Sequence, residues 1–387
     1  MSRETHMKIR LFIALASWAV AAPAFSQGSV TLYGVLDEGL NYTNNVAGHS
    51  QVALASGFPH GSRWGLKGTE DLGGGTKAIF QLENGFDVDS GRAFQGGLLF
   101  GRQAYVGVSS DTLGTLTAGR QYDAVVDFLA QNTAGGSWGG YMFAHPYDSD
   151  NLINSFRTNN AVKYTSPALG GLKFGATYGF SNDVKASNNR LFSVGGQYTV
   201  GGWLLSAAYL QADHPSATSY GAINNGGDQN LLGSRLRIVG AGATYTLGKA
   251  TLGFAYSNAD VGDPQSSGYV GPIVPPVGRL SSLRFQNVEV NVKYAFGASY
   301  WIGAMYTYTR ASFNATSGRL HPTYHSIGLM ADHILSKRTD VYLQGVVQHA
   351  GGDATGTVLD AAYVAGAAEV SSNRNQVLLR AGVRHFF

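Results

Sequence analysis

In RFQNVEVNVKYAF, residues 284–296, every second side chain from Val288 onward is apolar: Val288, Val290, Val292, Tyr294 and Phe296 alternate with Glu289, Asn291, Lys293 and Ala295. A period of two puts the two sets on opposite faces of an extended strand. The same split recurs over 171–181. There Leu172, Phe174, Ala176, Tyr178 and Phe180 share one face, while Lys173, Thr177 and small residues share the other. From Val30 onward the chain repeats this design, about ten residues of strand and then a turn. Strands apolar on one side and polar on the other suit a wall between lipid and water.

Composition agrees with such a wall. Charged residues are 13% of the 387, against roughly 25% in soluble domains. Mean hydropathy is nonetheless close to zero, and no stretch past the N-terminus approaches the roughly 18 apolar residues of a membrane helix. The chain has no cysteine, which excludes thiolate metal sites, disulfides and cysteine nucleophiles. Lys8 and Arg10 precede an apolar core from Leu11 to Ala22, followed by APAFSQ. This order predicts a signal peptide over 1–26, cut after Ser26, and one mature domain over 27–387. Removing residues 1–26 leaves 24 bases against 23 acids, a net charge of +1. The whole-chain basicity is therefore partly that of the signal peptide and is no sign of nucleic-acid binding.

The connections sort by size. Short turns at 71–75, 109–114, 166–171, 200–202, 247–249, 296–298 and 335–338 alternate with longer segments at about 43–59, 88–97, 121–157, 182–189, 213–233, 259–281, 311–320 and 351–372. Seven short turns between eight long loops predict about sixteen antiparallel strands, closed as a transmembrane β-barrel with short periplasmic turns and long outer loops. The segment 121–157, QYDAVVDFLAQNTAGGSWGGYMFAHPYDSDNLINSFR, is the third outer loop. It lacks alternation, carries two Gly-Gly pairs and the acids Asp123, Asp127, Asp148 and Asp150, and is too long for a plain connection. We expect it to fold into the lumen and narrow the pore. Asp148 and Asp150 are expected in a solvated limb of this loop, where they would cap or anchor it. The last strand, Asn375 to Phe387, alternates to its end, with Arg380 and Arg384 on the polar face. It must pair with the first strand, Val30–Tyr42, because an open edge in lipid leaves backbone groups unsatisfied.

Several segments resemble the Gram-negative general porins: SVTLYGVLDEGL (29–40), SRWGLKGTEDLGGGTKAIFQLENGF (62–86), FGRQAYVGV (100–108), LGTLTAGRQ (113–121), RTNNAVKYTSP (157–167) and the terminal RHFF (384–387). The resemblance spans essentially the whole mature chain. It implies a homotrimeric, sixteen-stranded, water-filled channel in the outer membrane, with the third loop inside and a role for Phe387 in barrel assembly.

The chemistry of such a pore is electrostatic, because a narrow aqueous ring between low-dielectric walls focuses the field of its charges. Arg63 has the parity opposite to Trp64 and Leu66 and so faces water. Arg102, Arg120 and Arg157 fall at the outer halves of their strands, the last two at the feet of the long loop. The resemblance assigns Arg63, Arg102 and Arg157 to the family's arginine cluster at the constriction, with Glu83 as a nearby carboxylate. Asp123 and Asp127 are the candidate loop acids across the pore, and Lys67 and Arg120 are further candidates. Ordinary lumen lining is the alternative for each.

No His-Glu-x-x-His, nucleophile elbow or phosphate loop appears in a supporting context, so no enzyme, metal or cofactor is expected. His321 and His325 share a strand face but would lie more than about 13 Å apart. The predicted function is passive diffusion of small hydrophilic solutes and ions, with a mild anion preference from the wall arginines. Expected partners are outer-membrane lipid, lipopolysaccharide, further copies of the chain and the solutes, with no nucleic acid. A substrate-specific channel, or an adhesin using loops 213–233 and 259–281, is the alternative on the same barrel.

Overall fold

The computed structural model describes residues 28–223 and 230–387; the expected signal peptide lies outside them, as does part of the loop 213–233. The described residues form sixteen staves: β1 (Ser29–Val46), β2 (His49–Ser56, resuming as Arg63–Gly73), β3 (Thr76–Gly85), β4 (Gln103–Ser110), β5 (Gly114–Gln121), β6 (Thr158–Thr165), β7 (Leu172–Gly179), β8 (Arg190–Val200), β9 (Trp203–Asp213), β10 (Arg235–Leu247), β11 (Ala250–Gly262), β12 (Leu280–Ala295), β13 (Tyr300–Ala315), β14 (Gly318–Leu320, resuming as Pro322–Ile334), β15 (Thr339–Gly352) and β16 (Asn375–Phe386). Every neighbouring pair is antiparallel, and the expected all-β barrel is the observed fold.

Alternation in sequence becomes alternation in burial. On β12, Val288, Val290 and Tyr294 are exposed on the outer wall, whereas Asn287 and Glu289 are fully buried inside. The interior burial has a specific source: the third loop and parts of the outer loops fill one side of the lumen. Leu359, Ala362, Tyr363 and Val364 of the last outer loop are buried, and Tyr363 stacks on Tyr147 of the third loop at 6.3 Å between ring centroids. The sequence reading treated 351–372 only as a long connection.

Closure runs through the C-terminus. β16 pairs with β1 from Val35↔Phe386 to Thr43↔Leu378. The Gly34 and Phe387 backbones exchange hydrogen bonds of 3.0 and 3.1 Å, so the last residue completes the ladder. The inward-facing Arg380 bonds Asp37 at 3.1 Å, and the Tyr342 hydroxyl donates to the same carboxylate at 2.5 Å. Deleting Phe387 removes both backbone bonds and the ring packed over Gly34. The expected result is a markedly lower yield of heat-modifiable folded barrel on gel electrophoresis, and normal yield would contradict this role.

Two connections differ from expectation. The first and seventh outer loops, read as 43–59 and 311–320, are tight hairpins. β1 turns at Ala47–Gly48 into β2, and β13 turns at Thr316–Ser317 into β14. These strand ends rise past the membrane, where water meets both faces and apolar alternation has no cause. β2 is instead interrupted lower down, at 57–62, and this break faces the third loop.

Candidate pore constriction

The long loop is a chain of short helical turns (Val125–Leu129, Ala130–Asn132, Gly135–Gly139, Tyr141–Phe143, Pro146–Asp148) laid along the inside of the wall from β8 to β15. Inward glycines make room for it. A Cβ on Gly303 of β13 would come within 2.6 Å of the Trp138 ring, and one on Gly328 of β14 within 2.5 Å of Phe143. Polar bonds pin the backbone. Ser193 Oγ accepts from Ala124 N at 3.0 Å, Glu289 Oε1 accepts from Ala134 N at 2.7 Å, and Gln344 donates to Gly139 O at 3.1 Å. Tyr141 N donates to Phe58 O at 2.8 Å in the break of β2, so the loop crosses the lumen. Gly303→Val should evict Trp138 from its socket. Larger and noisier single-channel conductance is the expected readout, and an unchanged trace would show that Trp138 does not hold the loop.

Opposite the packed side, β1 to β5 carry a connected polar cluster. Glu83 of β3 is its centre. Arg102 Nε donates to Glu83 Oε1 at 2.7 Å, Arg63 Nε lies 3.6 Å from Oε2, and the Tyr33 hydroxyl donates to Oε2 at 2.8 Å. Gln81 Nε2 donates to Tyr33 at 2.7 Å, and Tyr105 donates to Gln81 Oε1 at 2.9 Å. Arg102 Nη2 donates to the Tyr122 hydroxyl at 2.9 Å, and the Arg157 guanidinium lies over the Tyr122 ring at 5.9 Å. Lys67 Nζ lies 5.2 Å over the Tyr33 ring. Arg63, Arg102, Arg157, Glu83 and Lys67 are thus brought into one neighbourhood. Arg63 and Arg102 share the carboxylate of Glu83 there.

Reading one residue at a time missed Tyr33, Gln81, Tyr105 and Tyr122. The signal for Tyr33 lies in the register Tyr33↔Gly65↔Glu83. Gly65 has no side chain to intervene, and a Cβ there would sit 2.7 Å from the Tyr33 oxygen.

The loop acids sit in distinct settings. Asp123 is fully buried; Oδ1 accepts from Val125 N at 2.8 Å and Val126 N at 3.3 Å, and Oδ2 from Asn151 Nδ2 at 2.9 Å. It caps the first helical turn and ties the two limbs together, and burial, together with the charge of Asp127, pushes its carboxyl up to about 6. Asp127 pairs with Lys163 of β6 at 2.6 Å. The carboxylate that Arg63 and Arg102 meet is Glu83. Arg120 shares the parity of the exposed Leu116 and bonds Gly101 O at 2.8 Å and Asn159. Asp148 and Asp150 are not solvated: both are fully buried. Asp148 accepts from Ile153 N at 3.1 Å and from the Ser155 hydroxyl at 2.6 Å. Asp150 meets His145 Nδ1 at 2.6 Å, and His145 Nε2 lies 3.1 Å from Glu289 on β12.

Comparison with known proteins places this barrel. The model of the Gram-negative porin family matches residues 12–355. Outer membrane porin protein 32 of Delftia acidovorans is 30% identical over 97% of this chain and 99% of its own. An outer membrane porin protein of Bordetella pertussis is 33% identical over 56% of this chain, a match spanning 63% of that relative. Among solved structures, the anion-selective porin from Comamonas acidovorans superposes with a TM-score of 0.70 at 23% identity, covering 93% of this chain and 100% of that one. With that fold and those relatives, the chain belongs to the Gram-negative porin family and is an outer-membrane channel protein, not an enzyme.

Proposed function

We propose that the chain forms a water-filled pore for passive diffusion of small hydrophilic solutes and ions with a mild anion preference, acting as a homotrimer in a lipopolysaccharide-bearing outer leaflet after removal of residues 1–26. The observation that carries the selectivity is the pair Arg63 and Arg102 on the carboxylate of Glu83, with Arg157 over the neighbouring Tyr122 ring. Guanidinium groups stay charged at any working pH, and the loop acid Asp127 is engaged by Lys163. A solute meets a ring in which positive charge is in excess and the bases are held by fixed hydrogen bonds. The likeness to the anion-selective porin from Comamonas acidovorans supports the same sign. Arg63, Arg102, Arg157 and Glu83 are the proposed constriction residues; Lys67 and Asp127 line the approach. Insertion into a planar bilayer tests the proposal: stepwise conductance in groups of three is expected. Single, unrelated steps would argue against the trimer, and no conductance against the pore.

A further inference from the structure

At the inner end of the lumen, beneath the third loop, lies a cavity of about 450 Å³ whose side chains the constriction does not use. Trp138 of the loop is its roof, and the turn at 336–338 is its rim. Its wall carries Lys293 of β12, Trp301 of β13, Asp332 and Ile334 of β14, and Asp340 of β15. Arg384 and Phe386 of β16 complete it. Register brings these groups together. Trp301 lies opposite Asp332, and Asp340 opposite Arg384. Lys293 pairs with Gly303, the glycine that seats the Trp138 ring.

The charges of this vestibule do not close among themselves. Arg384 Nη2 serves two acids, Asp340 Oδ2 at 3.0 Å and Asp332 Oδ2 at 3.3 Å, and Nη1 donates to His60 Nδ1 at 2.6 Å. One guanidinium between two carboxylates leaves a net negative charge on that side. Lys293 Nζ sits 4.1 Å over the Trp301 ring and makes no salt bridge among the described residues. A cation and a carboxylate therefore flank a single indole. Asp332 Oδ1, Asp340 Oδ1 and Trp138 Nε1 are buried without a hydrogen-bond partner among the described residues. Such atoms are uncommon and costly, and a ligand bringing donors to the acids and an acceptor to the indole satisfies them. Ile334 and Phe386 share lumen parity with Asp332 and Arg384, yet both are apolar. Apolar side chains on the aqueous face reverse the rule of the wall.

We infer that this inner vestibule is a binding site for a free α-amino acid with an aromatic side chain. Its ammonium lies on Asp332 and Asp340, its carboxylate between Lys293 Nζ and Trp138 Nε1, and its ring against Ile334 and Phe386. A simple anion leaves the two acids unmet, and a simple cation leaves Lys293 unmet. A neutral sugar brings no charge to either side and no apolar ring to Ile334 and Phe386. A zwitterion carries both charges on one carbon. The site is a weak one, because a conducting pore must release what it binds.

Lys293→Gln strands no salt-bridged acid, and Ile334→Ser removes only apolar wall. Wild type, these two variants and a control at the inner end of β3, Lys77→Gln, are purified in detergent. Each is titrated calorimetrically with L-phenylalanine, N-acetyl-L-phenylalanine, L-phenylalaninamide, L-alanine and glucose. Loss of the ammonium, the carboxylate or Lys293 is expected to weaken binding about tenfold each, as a lost charge-assisted bond does. Ile334→Ser should weaken phenylalanine and leave alanine unchanged, and K77Q should match wild type. Equal affinity of wild type for phenylalanine and its N-acetyl form would overturn the inference. So would equal affinity of K293Q and wild type, an equal response to glucose, or no phenylalanine binding at all. The inference rests on the pore reading above for access to the site, and bilayer conductance of the same samples separates the two. Normal steps without phenylalanine binding reject only the vestibule site, whereas absent steps with binding intact reject only the pore.

Discussion

Arg102→Ser is expected to cut the ratio of anion to cation permeability about fivefold, the largest change from any single substitution at the constriction. Two effects add. A unit charge about 4 Å from a permeating ion in water contributes about 1 kcal/mol, or roughly fivefold in occupancy. Arg102 also holds Glu83 through its 2.7 Å bond, whereas Arg63 stands 3.6 Å away. Serine at 102 therefore removes a positive charge and releases a negative one. Arg63→Ser removes a charge but leaves Glu83 bound to Arg102 and to Tyr33, so a smaller shift is expected. Glu83→Gln should move selectivity the other way, toward anions. Reversal potentials for the three variants give an ordered series, and an Arg102→Ser channel with wild-type selectivity would remove Arg102 from the constriction.

His145→Ala is expected to loosen the third loop, at a cost of about 3–5 kcal/mol, because it leaves two carboxylates buried without their cation. His145 is 1% exposed between Asp150 and Glu289, which are fully buried. Asp150 also accepts from Ser257 and from Asn287, the latter at 3.2 Å. Burial opposes protonation of the imidazole, but the charge of Asp150 and the bonds to Asp150 and Glu289 outweigh it and raise the pKa to about 10. Because the folded value lies above the ordinary one of about 6.5, the stabilisation is complete below pH 6.5 and is lost as pH rises through about 10. Asp150, held below the usual carboxylate range by His145 despite its burial, contributes above that range and loses its contribution in acid. Asp148 is pushed up to about 7 by burial and then by Asp150. Its penalty grows up to that pH and is constant above it, so the window from pH 7 to 10 reports His145. Open-channel noise and thermal unfolding should change across that window in wild type and stay flat in His145→Ala. Parallel pH profiles in the two proteins would rule out the His145 anchor.

The barrel was legible because each strand faces two solvents. Lipid on one side and water on the other impose a period of two, and Val288–Tyr294 or Leu172–Phe180 could hardly be read otherwise. Where that condition lapses, reading failed: Thr43, Asn44 and Asn45 are strand residues of β1 that look like loop. The wall half of the proposed constriction is visible in sequence as a neighbourhood, since Arg63 and Glu83 sit on lumen parity and Gly65 pairs with Glu83 in register. The loop half was not. The burial of Asp148 and Asp150 depends on packing against β11, β12 and neighbouring loops, and His145 meets Glu289 across 144 residues of sequence. No local pattern carries such a contact. At Arg120 the register shifts between Gly119 and Gln121, so its place at the foot of the loop does not give its direction.

The excess of arginine over carboxylate at the constriction is tested most directly by the reversal potential of the wild-type channel in a planar bilayer under a KCl gradient. The arrangement of Arg63, Arg102 and Arg157 around Glu83 predicts a potential of the sign set by chloride permeating faster than potassium. A clearly cation-selective potential would contradict it.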